Sequence, residues 1–327
     1  MVKYIRVALG TGVLLGFCKA KLQVAPTTAH LLTYFEGKCL ANCKFCPQAR
    51  ESFSDQKMLS RVEWPKLELE GVIESLRTSD HGFKRICVQS VNYAGVVEDL
   101  LEIVSRIKGR CDLPISVACH PLPSQDIKRL ADAGAERIGI ALDAATPELF
   151  EAIKGKGANS FYSWRTHLHA LQEVKKIVGK ATTHLVAGLG ESEEEMVSTI
   201  QVLHDQGITV GLFAFTPIKG TPLAKNSSPD VSAYRRVQLA HYLIANGFGR
   251  AEKMKFENGR VISFGVDGNT LELVVNSGAP FMTSGCPGCN RPFYNESPLG
   301  PIYNYPRKPT EGEIESIKDG LGLAGRY

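Results

Sequence analysis

The sequence predicts an α/β fold: a full or partial (β/α) barrel of the TIM type with a loop-rich C-terminal extension. The 327 residues are 43% hydrophobic and 22% charged, which is enough for one large core. Short apolar runs alternate with amphipathic stretches about six times, and this alternation requires parallel strands joined by right-handed helical crossovers. No glycine-rich dinucleotide fingerprint follows the first strand, so a barrel is favoured over an open doubly wound sheet.

Each predicted strand is a short apolar run, and each predicted helix has apolar positions three to four residues apart. The predicted strands are 30–37, 85–91, 114–120, 137–143, 181–190 and 209–218. The predicted helices are 63–79, 95–109, 124–134, 146–153, 163–179, 192–207 and 230–247. From residue 256 the tail is predicted to be β-like, at "VISFG" and "TLELVV", and then rich in loops and prolines.

The composition excludes several classes of protein. Nothing resembles a signal peptide, and no apolar run reaches the roughly 18 residues of a membrane span, so a cytoplasmic protein is expected. The net charge of +4, without an arginine-rich run, argues against a nucleic-acid partner. Nine cysteines in a long, well-patterned chain indicate metal ligands rather than a disulfide framework.

Three of these cysteines stand close together after the first predicted strand. Residues 39–48 read "CLANCKFCPQ" and contain Cys39, Cys43 and Cys46. Loops at the C-terminal ends of barrel strands form the catalytic face. Three thiolates on one short loop can bind three corners of a cubane iron–sulfur cluster and leave one iron open to a small chelating ligand. A zinc site is the alternative, but structural zinc takes four ligands and no histidine is nearby in the sequence.

The three-then-two spacing of this cysteine loop, with an aromatic residue before the last cysteine, resembles the signature of radical S-adenosylmethionine (radical SAM) enzymes. The resemblance implies that the three catalytic cysteines hold a [4Fe–4S] cluster whose open iron chelates S-adenosylmethionine, the source of a 5′-deoxyadenosyl radical. It also implies a set of residues that bind this cofactor, namely Phe45, Asp143, Arg165, Val186 and Glu191. Read without the resemblance, Asp143 fits a helix cap and Arg165 a solvated helix face.

Stretches between residues 30 and 225 also resemble biotin synthase and its relatives: "CKFCPQ", "RLADAGAERIGIALDAATPELFEAI", "LVAGLGES" and "PIKGTPL". That family draws sulfur from a second cluster, and Cys87 and Cys119 occupy similar places on the second and third strands. The family's strand-five cysteine and its late arginine motif have no counterpart here. The tail supplies Cys286 and Cys289 instead, in "SGCPGCNRPFYNESP".

The tail pair is predicted to reach the same catalytic rim and, with Cys87, Cys119 or an oxygen ligand, to hold an auxiliary [4Fe–4S] cluster. A redox dithiol and a chance pair of cysteines are the alternatives. A barrel with a "GCPGCNRPFYNE" tail resembles the archaeal-type two-component lipoyl synthases. This resemblance implies a sulfurtransferase that adds sulfur to a protein-bound octanoyl chain and consumes its auxiliary cluster. It leaves open whether C6 or C8 is the target, with the first insertion favoured.

The expected partners are an octanoylated lipoyl carrier, a second radical SAM subunit and a reductant such as ferredoxin, with neither nucleic acid nor membrane. Other enzymatic interpretations are a biotin synthase-like enzyme or a radical SAM methylmutase or maturase acting on a small molecule. A non-catalytic iron–sulfur carrier is the interpretation from another class. The predicted segments are an N-terminal extension (1–29), the radical SAM barrel (30–285) and a Cys-x-x-Cys segment with the tail (286–327).

Overall fold

A computed structural model describes residues 1–323, so the last four residues of the predicted 286–327 segment lie outside the described part. The strands are β1 (Tyr4–Val7), β2 (Thr28–Thr33), β3 (Met58–Leu59), β4 (Val62–Glu63), β5 (Lys66–Glu68), β6 (Arg85–Gln89), β7 (Ile115–Cys119), β8 (Ala135–Ile140), β9 (Ala181–Ala187), β10 (Thr209–Ala214), β11 (Lys255–Glu257) and β12 (Arg260–Ser263). The helices are α1 (Leu9–Leu14), α2 (Leu69–Thr78), α3 (Val96–Lys108), α4 (Ser124–Asp132), α5 (Pro147–Ile153), α6 (Trp164–Val178), α7 (Glu193–Asp205), α8 (Val231–Ala245), α9 (Gly268–Ser277) and α10 (Glu311–Leu321). Within residues 1–323, none of these helices has the length and hydropathy needed to span a membrane.

Eight strands form one sheet in the order β10-β9-β8-β7-β6-β2-β1-β5. Neighbours from β2 to β10 are parallel, whereas β1 is antiparallel to both β2 and β5. Because β10 and β5 end the order, the parallel strands make a partial barrel with an open side. The α/β barrel that the sequence predicts is confirmed. Its first parallel strand also gains an antiparallel neighbour, β1, from within the predicted N-terminal extension.

The parallel strands bury one face under the helices and turn the other face to the barrel interior. Ile86 and Val88 of β6 are fully buried on the helix side. Since side chains alternate along a strand, Cys87 between them faces the interior. Its partners in register are His30 on β2 and Ser116 on β7. The interior of this barrel therefore carries polar and thiol groups, while the apolar core lies between sheet and helices.

Two elements differ from the sequence-based expectation. Helix α2 begins at Leu69 rather than at residue 63, because residues 66–68 pair with β1 as strand β5. The run "TLELVV", predicted to be β-like, lies in α9. There the Asp267 side chain accepts a hydrogen bond from the backbone N–H of Thr270 at 2.9 Å, and Val274 packs into the core. A helix cap and tertiary packing thus override the β propensity of this run.

The segment from residue 284 to residue 296, here called the closing segment, runs along the open side of the barrel against β10. The backbone N–H of Leu212 donates to Ser284 Oγ at 2.9 Å, and Asn295 Nδ2 donates to the carbonyl of Ala214 at 3.2 Å. On its other side, the backbone N–H of Thr27 donates to Asn290 Oδ1 at 2.9 Å, just before β2 begins. The segment therefore begins beside the middle of β10, passes the N-terminal end of β2 and ends beside the C-terminal end of β10.

Arg235 of α8 fastens the chain that follows the closing segment. Arg235 is 3% exposed, and its guanidinium donates to the carbonyls of Ile302 and Tyr303. We expect Arg235→Met to destabilise the fold by about 2–5 kcal/mol, because buried carbonyls would lose their donors. Thermal unfolding measures this, with the exposed Arg250→Ala as the matched control. An unchanged melting temperature for Arg235→Met would contradict the assigned role.

Candidate active site

The cysteine loop lies at the C-terminal ends of the parallel strands, as predicted. Cys39, Cys43 and Cys46 line one cavity of about 190 Å³. The backbone holds the loop in a tight turn, because the N–H of Cys46 donates to the carbonyl of Cys43 at 3.0 Å, and the N–H of Cys39 to the carbonyl of Gln48 at 2.9 Å. The backbone N–H of Asn92 also points at Cys39 Sγ, 3.3 Å away.

Protein surrounds the three thiols, although each borders the cavity. Burial raises the pKa of Cys39 and Cys43, and raises the pKa of Cys46 to about 12. Such thiols stay protonated at neutral pH unless a metal replaces their protons, since the thiolate is the ligand. Three enclosed thiols around one cavity fit an iron–sulfur cluster held by three cysteines.

A buried ion pair stands beside these thiols. Lys154, which is 5% exposed, directs its Nζ to Asp143 Oδ2 at 2.6 Å and also donates to the carbonyl of Ala141. Its positive charge counteracts the effect of burial on the pKa of Cys39 and of Cys43. Sequence reasoning missed this lysine, because a lysine one position past an amphipathic helix is typical of a C-terminal helix cap.

Asp143 is held in an unusual backbone conformation where β8 has ended. Its φ is +65°, in the left-handed region that few residues other than glycine adopt. Its N–H donates to the carbonyl of His184 at 2.8 Å, and its carbonyl accepts from the N–H of Val186 at 2.7 Å. These two bonds to β9 fix the carboxylate at the cavity in place of the helix cap that the sequence also allowed; Thr146 caps α5 instead.

A second cavity, of about 170 Å³, adjoins the first. Phe45, Asp143 and Val186 all line it, as does Cys46, so three of the predicted cofactor-binding residues converge next to the cysteine loop. Glu191 lies behind this wall: its carboxylate accepts from the N–H groups of Gly188 at 2.6 Å and Leu189 at 3.0 Å. It stiffens the turn after β9 and does not line the cavity. Gly188, with φ of +99°, gives that turn its shape.

Two predicted residues lie elsewhere. Arg165 is on α6, exposed to solvent, and lines a separate surface depression with Trp164 and His169. It therefore does not meet the cysteine loop, and Lys154 is the cation at that place. Cys119 ends β7 and lines the first cavity, so it belongs beside the cysteine loop rather than with the tail cysteines.

A second group of thiols lies nearer the N-terminal ends of the strands, which we call the lower end of the barrel. This second thiol group consists of Cys87 with Cys286 and Cys289 of the closing segment. Cys286 Sγ is 3.9 Å from Ser116 Oγ, and Cys289 Sγ is 3.9 Å from His30 Nε2. Because Ser116 and His30 flank Cys87 on the neighbouring strands, both tail thiols sit over Cys87. Burial and the two tail thiols together raise the pKa of Cys87.

This arrangement corrects the expectation that the tail cysteines reach the catalytic rim. Cys286 and Cys289 contact Ser116 and His30, which lie in the N-terminal halves of β7 and β2, so both thiols lie towards the end of the barrel opposite to the cysteine loop. Of the two candidate partners, Cys87 and Cys119, the structure brings only Cys87 to the pair. The strand alternation that would have identified it needs the path of the closing segment, which local sequence does not reveal.

Two further side chains lie close to the thiol groups: Arg291 near the second thiol group and His184 beside the cavities of the cysteine loop. The Arg291 guanidinium is 3.5 Å from the ring centroid of Phe213, and its charge acts on Cys87 and Cys289. His184 lines both cavities and packs its ring on Phe213 at 4.8 Å. Burial, with a smaller effect from Arg291, lowers the pKa of His184 to about 4, so this histidine is neutral at physiological pH.

Comparisons with known proteins agree with this geometry. The sequence profile of the Radical SAM superfamily matches residues 34–203. Biotin synthase from Synechococcus sp. (strain WH7803) is 26% identical over 227 residues, or 66% of each chain, and biotin synthase from Hydrogenobaculum sp. (strain Y04AAS1) is 26% identical over 58% of this chain and 56% of its own. The chain spans between about half and two thirds of the length of such curated relatives.

Two solved structures share the fold. The crystal structure of methylornithine synthase has a TM-score of 0.54 at 17% identity and covers 92% of this chain and 82% of its own. The FeFe-hydrogenase maturase from Carboxydothermus hydrogenoformans has a TM-score of 0.52 at 19% identity, over 68% of this chain and 52% of its own. With the family profile spanning more than half of its residues, the chain belongs to the radical SAM superfamily and is an enzyme that uses a [4Fe–4S] cluster with S-adenosylmethionine.

Proposed function

We propose that this enzyme is a biotin synthase-like sulfurtransferase that inserts sulfur into an unactivated C–H bond. The observation that carries the proposal is the second thiol group, Cys87 with Cys286 and Cys289, inside the same barrel as the cysteine loop. Biotin synthases are among its relatives, which supports sulfur chemistry. An auxiliary cluster on the second group would be the sulfur donor.

The residues that line the two cavities would have separate roles in binding the cluster, the cofactor and the substrate. Cys39, Cys43 and Cys46 would hold the first cluster, which with S-adenosylmethionine supplies a 5′-deoxyadenosyl radical for hydrogen abstraction. Phe45 and Val186 would enclose the adenosyl group, and the fixed Asp143 carboxylate would accept hydrogen bonds from hydroxyl groups. Bound S-adenosylmethionine and substrate would displace water from both cavities and so protect the radical. A substrate carbon between the two thiol groups would have the radical source on one side and the sulfur on the other.

Lys154 is proposed to bind the carboxylate of S-adenosylmethionine. We expect Lys154→Met to weaken binding of S-adenosylmethionine to the cluster-loaded enzyme by about 10- to 100-fold, the loss of one charge-assisted hydrogen bond. Equilibrium binding measures this, and the exposed Arg165→Ala is the matched control, with unchanged affinity expected. Weaker binding in Arg165→Ala together with normal binding in Lys154→Met would reverse the assignment.

Two substrates are candidates for the sulfur insertion. The relatives favour a small molecule, namely a precursor of biotin that lacks the sulfur. The tail pair, standing in for the missing strand-five cysteine, favours the octanoyl chain of a lipoyl carrier, with a second radical SAM subunit as partner and a ferredoxin-type reductant. Strand β9 contains no cysteine, so the strand-five cysteine of the biotin synthase family has no counterpart in this chain.

Parallel reactions with the two substrates test the proposal. The reconstituted enzyme is incubated with S-adenosylmethionine, a reductant and either biotin lacking its sulfur atom or an octanoylated lipoyl carrier domain. Mass spectrometry follows the replacement of hydrogen by sulfur. Sulfur in one product identifies the substrate class. Production of 5′-deoxyadenosine without sulfur in either product would favour rearrangement or maturase chemistry, for which the second cluster is not a donor.

A further inference from the structure

The barrel has an opening at the end opposite to the cysteine loop. A cavity of about 540 Å³ lies where β10 begins, at Thr209, and where α7 and α8 end. Cys286 and Cys289 both line it. Neither of the two cavities beside the cysteine loop includes these tail cysteines among its walls. The two thiol groups thus face solvent through opposite ends of one barrel.

The tail thiols are accessible from this lower opening. Pro287 and Gly288, between them, are exposed, and Cys286 and Cys289 are half-buried. A Cβ on Gly288 would meet only the Lys84 side chain, 3.5 Å away, so the turn sits at the surface and not in the core. From the other end, the path to these thiols passes the cysteine loop, Lys154 and His184. A bound S-adenosylmethionine and a substrate would fill that upper path.

We propose that iron and sulfide ions reach the second thiol group through this lower opening. They need not pass through the two cavities beside the cysteine loop, here called the upper cavities. This inference rests on the proposed function, in which the sulfur consumed from the auxiliary cluster must be replaced. The step is a ligand exchange without a change of oxidation state: iron–water bonds break as iron–sulfur bonds to sulfide and to the three cysteines form, and the thiol protons of Cys87, Cys286 and Cys289 leave to solvent by the same route. Two ferrous, two ferric and four sulfide ions make a dicationic [4Fe–4S] core, so no external oxidant or reductant is needed.

The test isolates loading of the second group in the full chain. A variant with Cys39, Cys43 and Cys46 all replaced by alanine loses the cysteine loop's thiols and retains the second thiol group, with Cys18, Cys111 and Cys119 as isolated thiols. Into this background we introduce Ala245→Trp, at an exposed position on the rim of the opening, and separately Asn246→Trp on the same rim. Leu273→Trp, on the exposed face of α9 away from the opening, is the matched control. Anaerobic uptake from an equimolar ferrous and ferric mixture with sulfide is followed as iron per chain against time.

We expect Ala245→Trp and Asn246→Trp to slow uptake several-fold while reaching the same final iron content, and Leu273→Trp to load at the rate of the background. The equal end point excludes misfolding as the cause. Equal rates in all four proteins would overturn the lower route and leave the proposed sulfur donor intact. No uptake in the background itself would overturn the auxiliary cluster, and with it both the proposed function and this inference.

Discussion

Replacing Cys43 with alanine is expected to reduce S-adenosylmethionine cleavage to the background level. The three thiols of the loop line one cavity, and two of them cannot hold three irons of a cubane. Burial raises the pKa of the Cys43 thiol, and the positive charge of Lys154 opposes that effect. The measurement is 5′-deoxyadenosine formed per chain under reducing conditions, together with the iron content after anaerobic reconstitution.

The matched control is Cys111→Ala. Cys111 is a buried thiol in the turn between α3 and β7, at the N-terminal ends of the strands and remote from the cysteine loop. Its replacement removes one sulfur from the core and is expected to cost about 1 kcal/mol of stability while leaving cleavage and iron content unchanged. A Cys43→Ala variant that still makes 5′-deoxyadenosine at the wild-type rate would remove the cysteine loop from the mechanism.

Replacing Cys87 with alanine is expected to separate the two halves of the reaction. Cleavage of S-adenosylmethionine should continue, because the cysteine loop is untouched, whereas sulfur insertion should stop. Cys87 is the strand residue of the second thiol group, and Cys286 and Cys289 lie against it. Iron should fall from about eight to about four per chain if both clusters are cubanes. Iron analysis and mass spectrometry of the product provide the two measurements.

Cys119→Ala is the control for this second experiment. Cys119 is a cysteine of the adjacent strand β7, and it lines the upper cavity instead of meeting the tail. Its replacement should leave the iron of the second group in place. If Cys119→Ala loses that iron and Cys87→Ala keeps it, the assignment of strand ligands is inverted; if Cys87→Ala still transfers sulfur, the second thiol group is not the donor site.

Much of the fold follows from local sequence. Buried apolar runs such as Ile115–Cys119 mark the parallel strands, and the alternation with amphipathic helices specifies the barrel. The cysteine loop could equally be predicted from the sequence, because its spacing and its place after the first strand are both local features. Phe45 and Val186 reach one cavity for the same reason, since loops after parallel strands share one end of the barrel.

The remaining features depend on non-local contacts. Cys289 meets His30 across 259 residues of sequence, and no local pattern encodes such a pairing. Lys154 becomes part of the site because the chain after α5 turns back under the strand ends, where its Nζ meets Asp143. Arg165 has the charge expected of a carboxylate partner, but its position on the first turn of α6 points it to solvent. Charge type was predictable, whereas side-chain direction was not.

The closing segment also dictates the order in which the molecule can be assembled. During synthesis the strands β2 to β10 emerge before residue 284, so the parallel sheet can form while its open side is still empty. Cys39, Cys43 and Cys46 are then all present, whereas Cys87 must wait for the last part of the chain to gain its two companions. Contacts at such sequence separation form late in folding. The first cluster site is therefore complete in a nascent barrel. The second cluster site is complete only when the C-terminal part of the chain has folded.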